Sequence, residues 1–311
     1  MYIVNYCTLK RIATIGFFDG VHTGHRYLFE QLLRLGAERD MRPLIVTFDV
    51  HPRSVLQSDY MPQLLTTADE RRNLLSRYGE VLMLSFREVQ PLTAEAFMRL
   101  LHEQYDVAAL LMGYDHMFGS DRLRRPQEYR QAGAASGVEV LGTGEFTEGE
   151  WHVSSTEIRA ALTTGNIAVA NELLGRPYSL SGTVVHGKGI GRTLGFPTAN
   201  IVPNDPNKII PKAGVYAVQV NTPTMNNAPA FLNIGTNPTV NSQLSTLNYQ
   251  LSIINYQLSI EVHIPSFKGD LYGQELELQF LQFLREEKQF ESMEALRTQI
   301  KADIDSILRR A

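Results

Sequence analysis

The sequence predicts an α/β domain with a parallel sheet, followed by an all-β domain that ends in a helix. Three observations carry this. Between residues 11 and 174 short apolar runs alternate with segments of helical periodicity, the pattern of a parallel sheet covered on both faces. After Gly175-Arg176-Pro177 the texture changes to short β-type runs punctuated by Gly, Pro, Asn and Thr, which reads as an antiparallel barrel or sandwich. Finally, Met293, Leu296, Ile300, Ile304 and Ile307 form one apolar stripe at helical spacing, the mark of a closing helix packed on the β domain, a partner interface being the alternative.

The elements follow in order. Arg11–Phe17 is a β-branched run that meets a turn at Gly16-Phe17-Phe18-Asp19-Gly20. Leu28, Leu32 and Leu35 then recur at helical spacing, giving an amphipathic helix over 24–39. Pro43–Phe48, Val81–Ser85, Val107–Met112 and Val138–Gly142 read as further strands, with helices at Ala94–Gln104 and Pro126–Ala135 between them. Two short helices, Ser155–Thr163 and Ile167–Leu174, complete the first half. In the second half Gly182–His186, Val215–Val220, Ala230–Ile234, Ile260–Ile264 and Leu276–Leu281 are strands. Ser292 is positioned to cap the closing helix, with Glu294 in its first turn. The boundary falls at 176–181, giving domains of 1–176 and 177–311.

Composition narrows the function. At about 150 residues per domain, the 311 residues suffice for two cores. With 43% hydrophobic and 20% charged residues the chain is an ordinary globular one, and its net charge of -4 offers no basic excess for a nucleic-acid scaffold. A lone cysteine, Cys7, excludes a disulfide framework and a cysteine zinc site. Lys10 and Arg11 interrupt the N-terminal run, which lacks a small-residue cleavage signal. No apolar stretch approaches the roughly 20 residues of a membrane span. The expectation is a cytoplasmic enzyme or small-molecule binder with neither nucleic-acid nor membrane partner.

One segment repeats. Asn241–Leu247, Asn248–Ile254 and Asn255–Glu261 read NSQLSTL, NYQLSII and NYQLSIE. Leu244, Leu247, Leu251, Ile254 and Leu258 fit a coiled-coil seam, but over too few heptads. Within each copy apolar residues alternate as in a strand, yet seven is odd, so the apolar face flips between copies. A duplicated hairpin extension or a partly disordered loop fits better.

The first chemical signal is Gly16-Phe17-Phe18-Asp19-Gly20-Val21-His22-Thr23-Gly24-His25, between the first strand and first helix. Ligands of open α/β sheets bind in that crevice. A helix N-terminus with two imidazoles three residues apart suits a nucleotide phosphate and the charge that develops on it. A zinc pair or two structural histidines are the alternatives, although no His-Glu-x-x-His spacing occurs. The second signal is Gly187 to Asn200. Gly182-x4-Gly187-Lys188 imitates a Walker A loop, but Gly189 stands where Ser or Thr is needed. Four glycines in nine residues (Gly187, Gly189, Gly191, Gly195) can form a phosphate nest, and Arg192 adds charge. Thr198 and Asn200 point the same way on an extended segment and can share one hard cation. A plain hairpin also explains such a loop.

These residues carry a family resemblance. The first signal is similar to the His-x-Gly-His signature of the nucleotidyltransferase superfamily, in the form seen in bacterial FAD synthetases. Thr47-Phe48-Asp49-Val50-His51-Pro52, Gly113-Tyr114-Asp115-His116-Met117-Phe118-Gly119 and Val153-Ser154-Ser155-Thr156-Glu157-Ile158-Arg159 resemble later blocks of that family. Gly191-Arg192-x-x-Gly195-x-Pro197-Thr198-Ala199-Asn200 looks like the riboflavin kinase signature. Gly214–Ala217, Asn233–Thr239, Glu261–His263, Phe267–Gly273 and Leu284–Glu287 match its further blocks. The order is kept over residues 11–308.

The resemblance implies a Rossmann-like nucleotidyltransferase domain and a riboflavin-kinase β-barrel. The function implied is phosphorylation of riboflavin to FMN by Mg-ATP, then adenylylation of FMN to FAD with release of pyrophosphate. His22 and His25 would stabilise the α-phosphate, while Ser155, Thr156 and Arg159 hold the diphosphate. Gly16, Phe17, Asp19, Gly24 and Asp115 would line that nucleotide site. In the kinase half Gly187, Gly189, Gly191 and Arg192 would cradle ATP, and Thr198 and Asn200 would hold magnesium with it. Glu261 would be the base for the ribityl 5′-hydroxyl, a surface strand charge being its alternative. Two departures stand out: Met117 occupies a position that is often basic or polar, and the heptad repeat lengthens the connection to Glu261. Two other readings are compatible with this sequence. Either only one domain is active, the kinase being impaired by the 241–260 repeat, or the chain is a flavin or nucleotide sensor without turnover.

Overall fold

The computed structural model describes residues 9–113, 116–142, 153–187, 191, 195–235, 258–265, 267–288 and 290–308, with backbone alone at 293, 296, 300 and 304–308. The expected sites Asp115, Gly189 and Arg192 and the repeat over 241–257 lie outside the described residues, as do the side chains of the closing-helix stripe. Two compact units are present, Met1–Ser155 and Thr156–Ala311.

In the first unit five strands pair in parallel: β1 (Arg11–Ile15), β2 (Arg42–Phe48), β3 (Glu80–Leu84), β4 (Val107–Met112) and β5 (Glu139–Gly142). Their order is β3-β2-β1-β4-β5, so the order reverses between β1 and β4, and the crevice opens at their C-terminal ends. Strands buried on both faces read as continuous apolar runs, which is why β4 (VAALLM) was legible to the residue. Alternation along β1 feeds two cores. Ile12 packs with Phe29 and Leu32 of α1 (Thr23–Glu38) and Leu75. Ala13 and Ile15 face a second cluster that holds Phe97 and Leu101 of α5 (Ala94–Tyr105) and Tyr129 of α6 (Pro126–Ser136).

The sequence reading passed over α2 (Pro52–Leu56), α3 (Ala68–Leu75) and α4 (Phe86–Val89). For α3 a signal existed: Thr67 and Glu70 form a reciprocal capping box, the Thr-x-x-Glu pattern of a helix start. Its larger apolar residues are only the adjacent Leu74 and Leu75 at its end, so periodicity could not reveal it.

The second unit holds α7 from Thr156 onward (Ser155–Thr164), α8 (Ile167–Leu174) and a closed antiparallel barrel of order β10-β7-β6-β11-β8-β9. Its strands are β6 (Tyr178–Val185), β7 (Ala199–Pro203), β8 (Gly214–Thr222), β9 (Met225–Gly235), β10 (Ser259–His263) and β11 (Glu275–Arg285). The choice between barrel and sandwich is thus settled in favour of the barrel. Closure buries alternate residues, seen in β6 as Tyr178, Leu180, Gly182 and Val184. Asn171 of α8 ties itself to the barrel by accepting from the Tyr178 N–H (2.8 Å) and donating to the Phe280 carbonyl (2.8 Å). The closing helix, α9 (Met293–Leu308), begins at Ser292, whose hydroxyl accepts from the Ala295 N–H at 3.1 Å. Arg285 holds it to β11 through Asp303, at 2.7 and 3.0 Å.

Candidate active sites

The loop from β1 to α1 is wound tightly. Phe18 (φ 54°), Gly20 (φ 81°) and Val21 (φ 44°) all lie in the left-handed region, at a cost of about 1–3 kcal/mol for each non-glycine residue. Gly16 is required beneath Phe18, because a Cβ there would lie 2.6 Å from the Phe18 ring. The carboxylate of Asp19 is buried and accepts from the N–H of Leu65 (3.0 Å), the N–H of Thr66 (3.0 Å) and the Thr66 hydroxyl (3.1 Å). Asp19 therefore shapes the loop from behind. The Phe17 ring meets the His51 ring edge-on at 4.8 Å and lies under the Arg71 guanidinium at 4.1 Å.

This winding delivers the two histidines. His22 is the N-cap residue of α1 and is 5% exposed; its ring stacks on that of His25 at 3.6 Å and 21°. The Phe18 ring meets His25 edge-on at 5.2 Å. Gly24 leaves room for the arrangement, since a Cβ there would be 3.3 Å from His22 Nδ1. Two imidazoles stacked at the start of a helix lie at the positive end of its dipole, an arrangement whose chemistry suits an anion. Among the described residues no group of three His, Cys, Asp or Glu is placed to hold a metal ion, so the zinc alternative lacks a third ligand there. Ser155 reaches the same loop, its hydroxyl donating to the Asp19 carbonyl at 2.9 Å. Thr156 and Arg159 follow on α7, the first exposed and the second half-buried.

In the barrel the described members of the expected kinase set, Gly187, Gly191, Thr198, Asn200 and Glu261, converge. Glu261 on β10 is the register partner of Asn200 on β7 and of Asn233 on β9. Side chains of directly opposed residues share a face, so the three form one polar row. The Thr198 hydroxyl donates to Glu261 Oε2 at 3.1 Å. Gly187 admits the Asn200 amide, where a Cβ would lie 2.1 Å from Nδ2, and a Cβ at Gly191 would be 3.1 Å from Thr198 Oγ1. The repeat has not shifted Glu261 out of this row.

Sequence reasoning missed the pocket alongside. A cavity of about 250 Å³ runs from Thr198 and Ala199 past Val184, Val262 and Leu271 to Tyr272. Tyr272 stacks on His186 at 3.8 Å. Asn233, which the sequence offers only as the start of a family block, is a further site neighbour; its amide donates to Glu287 at 3.3 Å. Its place opposite Glu261 comes from the pairing of β9 with β10, which spacing along the chain does not encode.

A family model described as FAD synthetase matches residues 6–157, and one described as riboflavin kinase matches residues 174–310. A bifunctional riboflavin kinase/FMN adenylyltransferase of Escherichia coli K12 is 37% identical over 296 residues, covering 94% of this chain and 90% of that protein. The protein of the same description from Bacillus subtilis is 32% identical over 310 residues, covering 96% and 92%. A crystal structure described as a macrolide-efflux protein from Streptococcus pneumoniae superposes with a TM-score of 0.83 at 28% identity, over 96% of this chain and 94% of that one. Among the described residues no helix is long and apolar enough to cross a membrane.

Proposed function

This chain belongs to the bifunctional riboflavin kinase/FMN adenylyltransferase family, and from that premise we propose how its two sites divide the work. The enzyme phosphorylates riboflavin to FMN and adenylylates FMN to FAD. We assign adenylyl transfer to residues 1–176 and phosphoryl transfer to 177–311, and place the enzyme in the cytoplasm, with ATP as donor for both steps.

In the barrel, Glu261 takes the proton of the ribityl 5′-hydroxyl as the oxygen bonds to the γ-phosphorus of ATP and ADP departs. Thr198 orients that carboxylate. While its hydroxyl hydrogen is directed to Glu261, the oxygen keeps lone pairs for a cation. With the Asn200 amide oxygen this is a neutral oxygen pair beside a carboxylate, a donor set that fits magnesium. Magnesium bound there would neutralise charge on the phosphates. Gly187, Gly189, Gly191 and Arg192 provide the phosphate cradle, and the cavity from Thr198 to Tyr272 receives the purine.

In the α/β unit an FMN phosphate oxygen attacks the α-phosphorus of ATP in line, and the bond to the bridging oxygen of pyrophosphate breaks. His22 and His25 donate to the α-phosphoryl oxygens, where charge develops. Gly16, Phe17, Gly24 and Asp115 line the nucleotide, Asp19 sets the loop, and Ser155 holds the leaving diphosphate, a role the family resemblance also gives to Thr156 and Arg159.

The observation that carries the two-activity reading is the polar row Asn200–Glu261–Asn233, kept in register beside Thr198 despite the inserted heptads. The test is a time course of pure protein with riboflavin, magnesium and ATP, the flavins being separated by chromatography. FMN should rise first and FAD follow. Riboflavin left untouched while added FMN becomes FAD would refute the barrel assignment.

A further inference from the structure

The first turn of α3 grips the adenylyl-transfer loop on both sides of its strained residue, Phe18. On one side Thr66, just ahead of the helix, makes a bridge: its hydroxyl donates to Asp19 Oδ1 at 3.1 Å and accepts from the Gly20 N–H at 3.0 Å. The backbone N–H groups of Leu65 and Thr66 add to the hold on Asp19. These N–H groups face Asp19 because the chain is pinned immediately afterwards, with the Thr67 N–H donating to Glu70 Oε2 at 2.9 Å within the capping box. On the other side Arg71, 1% exposed, lays its guanidinium over the Phe17 ring at 4.1 Å and donates to the Phe48 carbonyl, at the end of β2, at 2.6 Å. Phe17 itself is held by the Thr47 hydroxyl, which donates to its carbonyl at 3.2 Å.

Phe17 and Asp19 flank Phe18, and Gly20 and Val21 lead directly to His22. Left-handed backbone at Phe18 and Val21 is unfavourable in isolation and persists only where its surroundings over-determine it. We propose that Thr66 and Arg71 are positioning residues for adenylyl transfer: they clamp the loop so that the His22 and His25 rings stack and aim at one phosphate. Neither residue touches the reacting atoms. Thr66 acts through Asp19 and Gly20, and Arg71 acts through Phe17 and the end of β2. This rests on the reading of His22 and His25 as the α-phosphate ligands.

A clamp predicts a split in the kinetics that a merely structural residue does not. A ligand displaced by about 1 Å can cost on the order of 100-fold in rate, while ground-state binding of ATP by the rest of the site persists. Thr66→Val keeps the shape and removes both hydroxyl bonds. It should lower kcat for FMN to FAD by about tenfold or more, with KM for ATP within about threefold of the parent, because the loss falls on the transition state. Riboflavin phosphorylation by the same molecules, the internal control for enzyme concentration, should be unchanged, and the unchanged KM for ATP together with a parental circular dichroism spectrum controls for folding of the α/β unit. Thr66→Ser, which restores the hydroxyl, should return kcat to near the parent value.

Arg71→Lys retains the charge without the planar group over Phe17, and should show the same kcat-selective loss. It also decides the question should Thr66→Val fail to fold. A folded Arg71→Lys variant with parental kcat, a folded Thr66→Val variant with parental kcat, or a rise in KM alone would overturn the clamp. His25→Ala is run beside them. If it leaves FAD formation intact, the histidine assignment has failed. If it abolishes FAD formation while Thr66→Val and Arg71→Lys do not impair it, the clamp alone has failed.

Discussion

Thr198 and Glu261, 63 positions apart, meet by a 3.1 Å hydrogen bond in which the hydroxyl donates to the carboxylate. The contact depends on β10 pairing with β7 so that Glu261 stands opposite Asn200. It joins the loop proposed to cradle phosphate to the proposed base on a different strand, and places a carboxylate beside the neutral oxygens of Thr198 and Asn200.

Replacing the base should separate the two activities. Glu261→Gln keeps shape and polarity but cannot accept the proton, so riboflavin phosphorylation should fall by about 100-fold or more. FMN adenylylation should stay at the parental rate. Parallel initial rates with riboflavin and with FMN check this, and equal losses in both would contradict the assignment.

The reciprocal experiment is His22→Ala. It removes one donor of the stacked pair, and loss of a single charge-stabilising donor typically costs about 10²–10³ in kcat. The initial rate of FAD formation from FMN should fall by about that factor, while FMN still accumulates from riboflavin at the parental rate.

Closing-helix docking depends on Arg285. Its guanidinium donates twice to Asp303, whose side chain is 10% exposed, and Gln299 donates to the other carboxylate oxygen at 2.7 Å. Arg285→Met would leave that carboxylate without its cation, at a cost of roughly 2–3 kcal/mol, somewhat below the penalty for a fully buried pair. Thermal unfolding followed by circular dichroism should show a lowered Tm, and the double variant Arg285→Met, Asp303→Leu should recover part of it.

Tyr216 introduces an alkaline dependence. Burial pushes its phenol well above the usual 10.0, and its hydroxyl donates to the Lys212 carbonyl. In the unfolded chain the phenol ionises near pH 10, whereas in the folded barrel it stays neutral. Its contribution to stability is therefore fully present below pH 10 and is lost as pH rises beyond that. Tyr216→Phe should cost about 1 kcal/mol at neutral pH through the lost hydrogen bond. The gap between parent and variant should narrow at pH 10.5, because only the parent carries the titrating group; a constant gap would be inconsistent.

Much of the architecture was legible in local chemistry. Apolar runs such as Val107–Met112 and the spacing of Leu28, Leu32 and Leu35 specify strands and helices through side-chain burial alone. Helix ends were equally readable where a cap marks them, as at Ser292. The motif residues His22, His25, Thr198 and Asn200 could be singled out because their chemistry suits phosphate transfer, whereas Glu261 was pointed to only by the family resemblance. The heptad repeat was different. Its odd length offers the strand two opposite faces, so pattern could not say which face Glu261 would present.

That choice belongs to pairing across the barrel, where β9 and β7 on either side bind β10 in a single register. The same holds for the first site. His-x-Gly-His carries the family resemblance, but the hold of Thr66 on Asp19 spans 47 positions and that of Arg71 on Phe17 spans 54. No periodicity or spacing records such contacts, since they arise when separate segments are brought together by burying Ile12, Ile45 and Leu75 in one core. Local sequence chose the elements and the reactive side chains; closure of the sheet and barrel chose which of those side chains face one another, because that depends on hydrogen-bond register and core packing between distant segments.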